Sequence, residues 1–442
     1  MKILNGVATP GRQDSMSLLT TQGTTRAWLW VFCFLVAVML CAGEGITQTS
    51  RRQSKANQPE SGRDTRRVRD FSSRNFLVHT DLAEAEANDL LDRLETMLRL
   101  ISRYWGRPNK KTIECFVVVD LRNWPPGSLD PAGRAYIRSG GGLTVTTVAV
   151  RGTRFDAKAI VYAIADRGTA QHEAVHAYCA QAFGRGGPIW YAEGMAEMGQ
   201  YWREDDHTVR IDDRVLAYLQ RAEPKSLNEI VNAREVTGDS WQNYAWRWAL
   251  CHLLANNPNY RDRFRPLGLG LLTGQDVSFN AVYGSLAPEI SFEYLFFLEH
   301  VEQGYDVTQC SWDWKARFRA VSVRRGATSK IKADYGWQPS RVLAQDGTSY
   351  TYTVIGTWKT DDVSEAVDAD GHPDGRGTLM GVVFSADYEL SDPFELGTEG
   401  TWSADRDGSL FLRCRDGWGE LGNNTGRVTV KFTAQEKPGD PE

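Results

Sequence analysis

The chain has 442 residues, 51 Lys+Arg against 56 Asp+Glu, and a formal net charge of −5. With 41% hydrophobic and 24% charged residues it lies in the globular range, with room for two or three domains at roughly 100–200 residues each. These values exclude a wholly disordered chain, a collagen-like fibre and a multi-span membrane protein, and the near-neutral total argues against nucleic acid as the main partner.

The one long apolar run is Ala27–Gly43 (AWLWVFCFLVAVMLCAG), preceded by Arg26. It has the length of a signal-peptide core at the short limit of a membrane span, and small residues at Cys41, Ala42 and Gly43 suit cleavage after Gly43. Residues 1–43 therefore read as a signal peptide for export. The alternative is an uncleaved N-terminal anchor, the one case in which the chain would have a membrane partner. Residues 44–74 are polar and basic and are expected to form a disordered linker, since they hold too few aliphatic residues to bury a core.

Order is expected from about residue 75. Leu90, Leu91, Leu94, Leu98 and Ile101 recur at helical spacing within Asp81–Tyr104, with Thr80 or Asp81 as N-cap. Ile113–Leu121 (IECFVVVDL) reads as a central strand, and Leu143–Val150 (LTVTTVAV) alternates like an edge strand able to hold a substrate backbone by strand addition. From Asp156 to about His300 the pattern is mostly helical, including Trp241–Asn256 and Ser291–Glu302. Residues 75–305 are thus expected to form an α+β domain, a small sheet followed by helices.

Residues 306–334 read as a connector. Over 335–434, short alternating runs separated by Gly/Asp turns (Tyr350–Ile355, Leu379–Phe384, Thr401–Ala404, Leu410–Arg413, Arg427–Phe432) predict an all-β sandwich or jelly roll. Five cysteines lie outside the apolar run, at 115, 179, 251, 310 and 414, with no CxxC spacing and no readable pairing.

The segment that bears chemistry is 168–202, GTAQHEAVHAYCAQAFGRGGPIWYAEGMAEMGQYW. On a helix, His176 lies about 40° around and about 6 Å along from His172, so both imidazoles can reach one ion, while Glu173 can face an attacking water. Val175, Tyr178, Cys179, Ala182 and Phe183 are expected to form the apolar stripe of that helix, with both histidines on its border. A catalytic zinc needs a third protein ligand. Glu193 is the candidate, on a second helix started by Pro188 and facing away from the stripe Tyr191, Met195, Met198 and Trp202. Glu197, one turn on, can hydrogen-bond a ligand histidine from behind. His79, His207, His252 and His300 stand alone in the sequence and read as core or surface residues.

HEAVH followed by WYAEGMAE resembles the gluzincin metallopeptidases, and most of all the secreted bacterial peptidase-MA-like proteins long listed as a domain of unknown function. The resemblance covers roughly 76–300 and is specific around 168–202. It implies a zincin-like α+β fold, zinc on His172, His176 and Glu193, Glu173 as general base in peptide hydrolysis, and a peptide or protein substrate. Tyr244 is the nearest match in position to the oxyanion donor of such enzymes, and the alternative is that it packs with Trp241, Trp246 and Trp248. Sixteen residues separate His176 from Glu193, slightly fewer than in aminopeptidase-type members. A metzincin pattern fails, because Cys179 and Ala182 stand where Gly and the third His would be.

A second resemblance lies in LRCRDGWGELGNNTGRVTVKF, residues 412–432, which is similar to the calcium-dependent galactophilic (LecA-like) lectin jelly roll. It implies Ca²⁺ ligands at Asp416, Asn423 and Asn424, with Glu420 where that family has a hydroxyl residue. Trp358, His372 and Asp374 resemble its sugar-contacting loop, which implies a carbohydrate partner. The reading is of an exported zinc metallopeptidase with a glycan-docking module. Its rival is a catalytically silent envelope protein, glycan-binding or anchored for interaction.

Overall fold

A computed structural model describes residues 67–151, 154–232 and 240–435. The expected signal or anchor segment and the linker up to residue 66 lie outside these residues. Among the described residues no helix is long and apolar enough to cross a membrane.

The first unit runs β1 (Arg69–Ser72), β2 (Phe76–Thr80), α1 (Glu84–Trp105), β3 (Ile113–Val118), α2 (Pro131–Arg138), β4 (Gly142–Arg151), β5 (Arg154–Ile164), α3 (Thr169–Phe183), α4 (Ile189–Tyr201), α5 (Asp213–Leu219), α6 (Leu227–Val231), α7 (Trp241–Asn256), α8 (Arg261–Thr273), α9 (Phe279–Tyr283) and α10 (Ala287–His300). Its five strands lie in the order β1-β2-β3-β5-β4. β2, β3 and β5 are parallel, and the two edge strands β1 and β4 are antiparallel to their neighbours. Leu90, Leu94, Leu98 and Ile101 of α1 pack with Val78, Cys115, Val117 and Val161 on one sheet face. On the other face α2 covers Val118, Trp124 and Tyr162 through Ile137.

Three details depart from expectation, and the cysteines, whose pairing the sequence left unread, are a fourth finding. Arg69–Ser72, inside the stretch expected to be linker, pairs with β2. β5 occupies part of a region expected to be helical: Ala157, Ala159, Val161 and Ala163 alternate inward, and alanine, a helix former, masked the strand. Asp81 does not cap α1. It is fully buried and accepts from the backbone N–H groups of Val119 (2.7 Å) and Asp120 (3.0 Å) and from Asn123 Nδ2 (2.8 Å) and Trp124 Nε1 (3.2 Å), tying the end of β2 to the loop after β3. The helix begins after Ala83 instead, whose N–H donates to Glu86 Oε2 at 3.0 Å. Finally, Cys115, Cys179, Cys251, Cys310 and Cys414 are all buried and free.

The second unit comprises β6 (Ala327–Lys332), β7 (Gln338–Ala344), β8 (Ser349–Lys359), β9 (Leu379–Phe384), β10 (Phe394–Glu395), β11 (Glu399–Ser403), β12 (Gly408–Cys414) and β13 (Thr425–Ala434). β6 lies within the stretch expected to be connector. The strands form two four-stranded sheets, β10-β9-β12-β7 and β11-β8-β13-β6. Between them pack Ile331, Val342, Trp358, Leu379, Val383, Leu412, Val428, Val430 and Phe432, a β-sandwich core.

The units meet where Phe296 of α10 packs with Trp312, Trp337, Met380, Val382 and Phe411. Beside this cluster Glu293, 3% exposed, accepts from Asn257 Nδ2, Asn259 Nδ2, Tyr260 Oη, Trp314 Nε1 and the backbone N–H of Trp312. Gly304 (φ 89°) lets the chain pass against Gly419, whose carbonyl oxygen would stand 2.4 Å from any Cβ placed there. Glu293→Ala strands five donors at this junction and is expected to lower stability by about 3 kcal/mol or more. Urea unfolding checks it, and a loss below about 1 kcal/mol would contradict the assignment.

Candidate metal centre

α3 starts where Asp166 accepts from the N–H groups of Gly168 (3.0 Å) and Thr169 (2.7 Å) and from Thr169 Oγ1 (2.7 Å), and it ends at Gly184 in the left-handed region (φ 78°). α4 follows Pro188 and packs beside it. Neither helix has the single apolar stripe the sequence suggested. Ala170–Val175, Ala177–Gln181 and Phe183 are buried, as are Trp190–Ala196. Both helices are enclosed by α1, α7 and the sheet, so their polar side chains must find partners within the protein.

They find each other. His172 Nε2 and His176 Nε2 are 3.2 Å apart, and Glu193 Oε2 is 3.3 Å from each. This trio, with His172 and Glu193 buried and His176 half-buried, can hold a metal ion, and among the described residues it is the group of metal-ligating side chains that meets this geometry. Glu193 Oε2 has no hydrogen-bond donor, although the residue is 4% exposed. An orphaned carboxylate oxygen facing two imidazole nitrogens suits a cation between them. Tetrahedral donors about 2.1 Å from a zinc ion stand about 3.4 Å from one another, which the three spacings approach.

The electrostatics follow from enclosure. Burial pushes the Glu193 carboxyl up, but His176 and His172 more than reverse this and hold it well below the usual carboxylate range. Burial disfavours the charged form of His172, yet Glu193 and Glu197 raise its pKa well above the ordinary histidine value. Glu197 Oε1 lies 3.0 Å from His172 Nδ1, which fixes that ring from behind. Burial raises the Glu173 carboxyl, against the lowering pull of His172, His176 and a hydrogen bond from Thr144.

Tyr244 on α7 is buried, and its ring centroid lies 5.7 Å from that of His172. The tryptophans of the same helix go elsewhere: Trp241 and Trp246 to Tyr218, and Trp248 to Tyr201, His252 and Phe297. Gly142 and Thr144 of β4 also line the centre. Sequence reasoning placed the strand but did not single out these two residues, because only the register against α3 shows which face meets Glu173.

In the sandwich the implied calcium residues divide. Asp416 and Asn424 are buried, and Asp416 Oδ2 and Asn424 Oδ1 both lack hydrogen-bond donors. Burial raises the Asp416 carboxyl, partly offset by the Gly417 N–H and the Asn424 side chain. Asn423 is exposed. His372 and Asp374 share one turn, in which Arg376 Nε donates to Asp374 Oδ2 at 2.9 Å and Gly377 N–H donates to Arg415 O at 2.8 Å, setting the turn beside Asp416. Trp358 is 1% exposed and donates to Gly377 O at 2.7 Å, so it supports this turn from beneath and does not face a sugar.

No protein-family model matches the chain, and no curated protein matches it. Among solved structures it is similar to the N-terminal domain of EclA, a PllA-like lectin, at 18% identity and a TM-score of 0.21, covering 25% of this chain and 96% of that one. It is also similar to IMPa from Pseudomonas aeruginosa in complex with an O-glycopeptide, at 12% identity and a TM-score of 0.17, covering 54% of this chain and 27% of that one. At these scores neither similarity bears on the reading of the site.

The packing of α4 on α7 sets Glu193 in place through its neighbour Gly194, where a Cβ would come within 2.4 Å of Cys251 Sγ and 2.8 Å of Arg247 O. Gly194→Ala is expected to destabilise the protein by about 1–3 kcal/mol through overpacking. Thermal unfolding measures this, and an unchanged midpoint would refute it.

Proposed function

We propose that this protein is an exported zinc-dependent metallopeptidase of gluzincin type, hydrolysing peptide or protein substrates, with a C-terminal calcium- and glycan-binding module. The observation that supports it most is the near-equilateral meeting of His172, His176 and Glu193 with Glu173 adjacent in sequence on α3. The donor set, two imidazoles and one carboxylate, is that of hydrolytic zinc sites.

When bound, zinc supplies Lewis-acid polarisation and makes water acidic enough to react near neutral pH. The chain's own residues do the rest. Glu197 orients the His172 ring through Nδ1. Glu173 takes a proton from the attacking water as its oxygen bonds to the scissile carbonyl carbon, then gives that proton to the departing amine nitrogen as the C–N bond breaks. Its enclosure, which raises its affinity for a proton, suits both steps. Tyr244, beside His172, is the candidate donor to the oxygen that gains charge. The free edge of β4 offers a ledge for an extended substrate backbone.

The unpaired oxygens of Asp416 and Asn424 favour a second reading for the C-terminal unit: a calcium site of hard oxygen donors that docks the enzyme to carbohydrate. On the rival reading, in which the first unit is catalytically silent, this module performs the function alone.

Purified protein is expected to hold about one zinc per chain and to cleave members of a peptide library in a chelator-sensitive manner. Glu173→Gln should keep the metal and lose turnover by roughly 100-fold or more. Absence of metal on elemental analysis, or unchanged turnover in the variant, would remove the reading. Calcium at about 100 times its Kd should stabilise the full chain by about 2.7 kcal/mol in thermal unfolding, and Asp416→Ala should abolish that gain. No shift at millimolar calcium would leave Asp416 and Asn424 as turn residues.

A further inference from the structure

Glu173 carries two carboxylate oxygens, and a general base that also returns its proton works best if one of them is reserved for the proton. The structure provides a means of reserving it. Thr144 on β4 is 6% exposed, and its Oγ1 lies 2.7 Å from Glu173 Oε2 and 2.8 Å from the Glu173 main-chain oxygen. Both neighbours are acceptors for the one hydroxyl proton, and the carboxylate oxygen, charged and at the shorter distance, is the stronger of the two. This hydrogen bond ties Oε2 to the strand and leaves Oε1 as the oxygen that Thr144 does not hold.

Two residues earlier, on the same face of the strand, stands Gly142. A Cβ there would come within 2.7 Å of Glu173 Cγ and 2.9 Å of Oε1. Alternate positions of one edge strand thus meet the two sides of the carboxylate. One holds Oε2 by a hydroxyl, and the other leaves room at Oε1 by having no side chain.

Resting on the peptidase reading above, we propose that Thr144 is a positioning residue that anchors Glu173 through Oε2, so that Oε1 is the oxygen that takes the proton from the attacking water and returns it to the departing amine. Protonation of Oε1 leaves Oε2 an acceptor, so the Thr144 bond persists through both transfers. Glu173 then needs no rotation between its two roles. Gly142 borders this arrangement, where a side chain would meet Glu173 and also Thr169 Cγ2, at 2.6 Å.

The test compares Thr144→Val, which keeps shape and loses the hydroxyl, with Thr144→Ser, which keeps the hydroxyl, in the full zinc-loaded chain on a peptide that the wild type cleaves. Thr144→Val is expected to retain one zinc per chain and to lose roughly 10- to 100-fold in kcat with KM changed less than about two-fold. Thr144→Ser is expected to recover kcat to within about three-fold of wild type. Equal kcat for the valine variant and wild type would overturn the proposal. So would a serine variant as slow as the valine variant, or a loss expressed in KM alone. Glu173→Gln in the same assay separates the two levels of inference. If that variant is inactive while Thr144→Val is not, only the role of Thr144 falls; if wild type shows no chelator-sensitive cleavage, the peptidase reading falls and takes Thr144 with it.

Discussion

Three ionisable side chains, His172, Glu173 and Glu193, are buried on two helices that water scarcely reaches, with His176 and Glu197 half-buried beside them. A lone charge in such a place costs several kcal/mol, so each must lie against an opposite charge, a donor or a bound cation. His172 meets Glu197 on one side and Glu193 on the other, and Glu173 meets Thr144. Only Glu193 Oε2 is left facing nitrogens with no donor of its own. Close packing by small residues brings the helices near enough for this, as Gly194 against Cys251 and Gly199 against Val175 show.

Much of the centre was legible because its chemistry fixes its spacing. Two histidines four apart share one face of a helix, a glutamate follows on the next helix, and the structure brings these three together. Less legible was whatever depended on burial. Helices enclosed on every side carry no single apolar stripe, so the wheel of α3 misled about its surroundings. β5 was hidden by its alanines, and Asp81, a natural helix cap by residue type, was claimed by Val119, Asp120 and Trp124 from a distant loop. The roles of Thr144 and Gly142 depend on strand register against a helix, which is fixed by the whole sheet and is not encoded in the strand alone.

The C-terminal sandwich follows the same logic with less charge. Val428, Val430 and Phe432 point inward and Lys431 outward, as alternation dictates. Its outer sheet does not face water alone, for Met380, Val382 and Phe411 are covered by Phe296 and Trp312. With Glu293 gathering donors from the first unit and from the chain leading to the second, the two are joined through a packed junction, and any ligand held by the sandwich is presented at a fixed orientation to the helices.

The edge strand β4 brings a liability along with its proposed use as a substrate ledge. From Gly142 to Val150 it has no charged residue and no proline, the two devices by which exposed strands commonly discourage lateral growth of a sheet. A ledge open to one extended chain is open to any other, including the same ledge on a neighbouring copy. Pairing of two such edges at high concentration is the consequence this strand predicts.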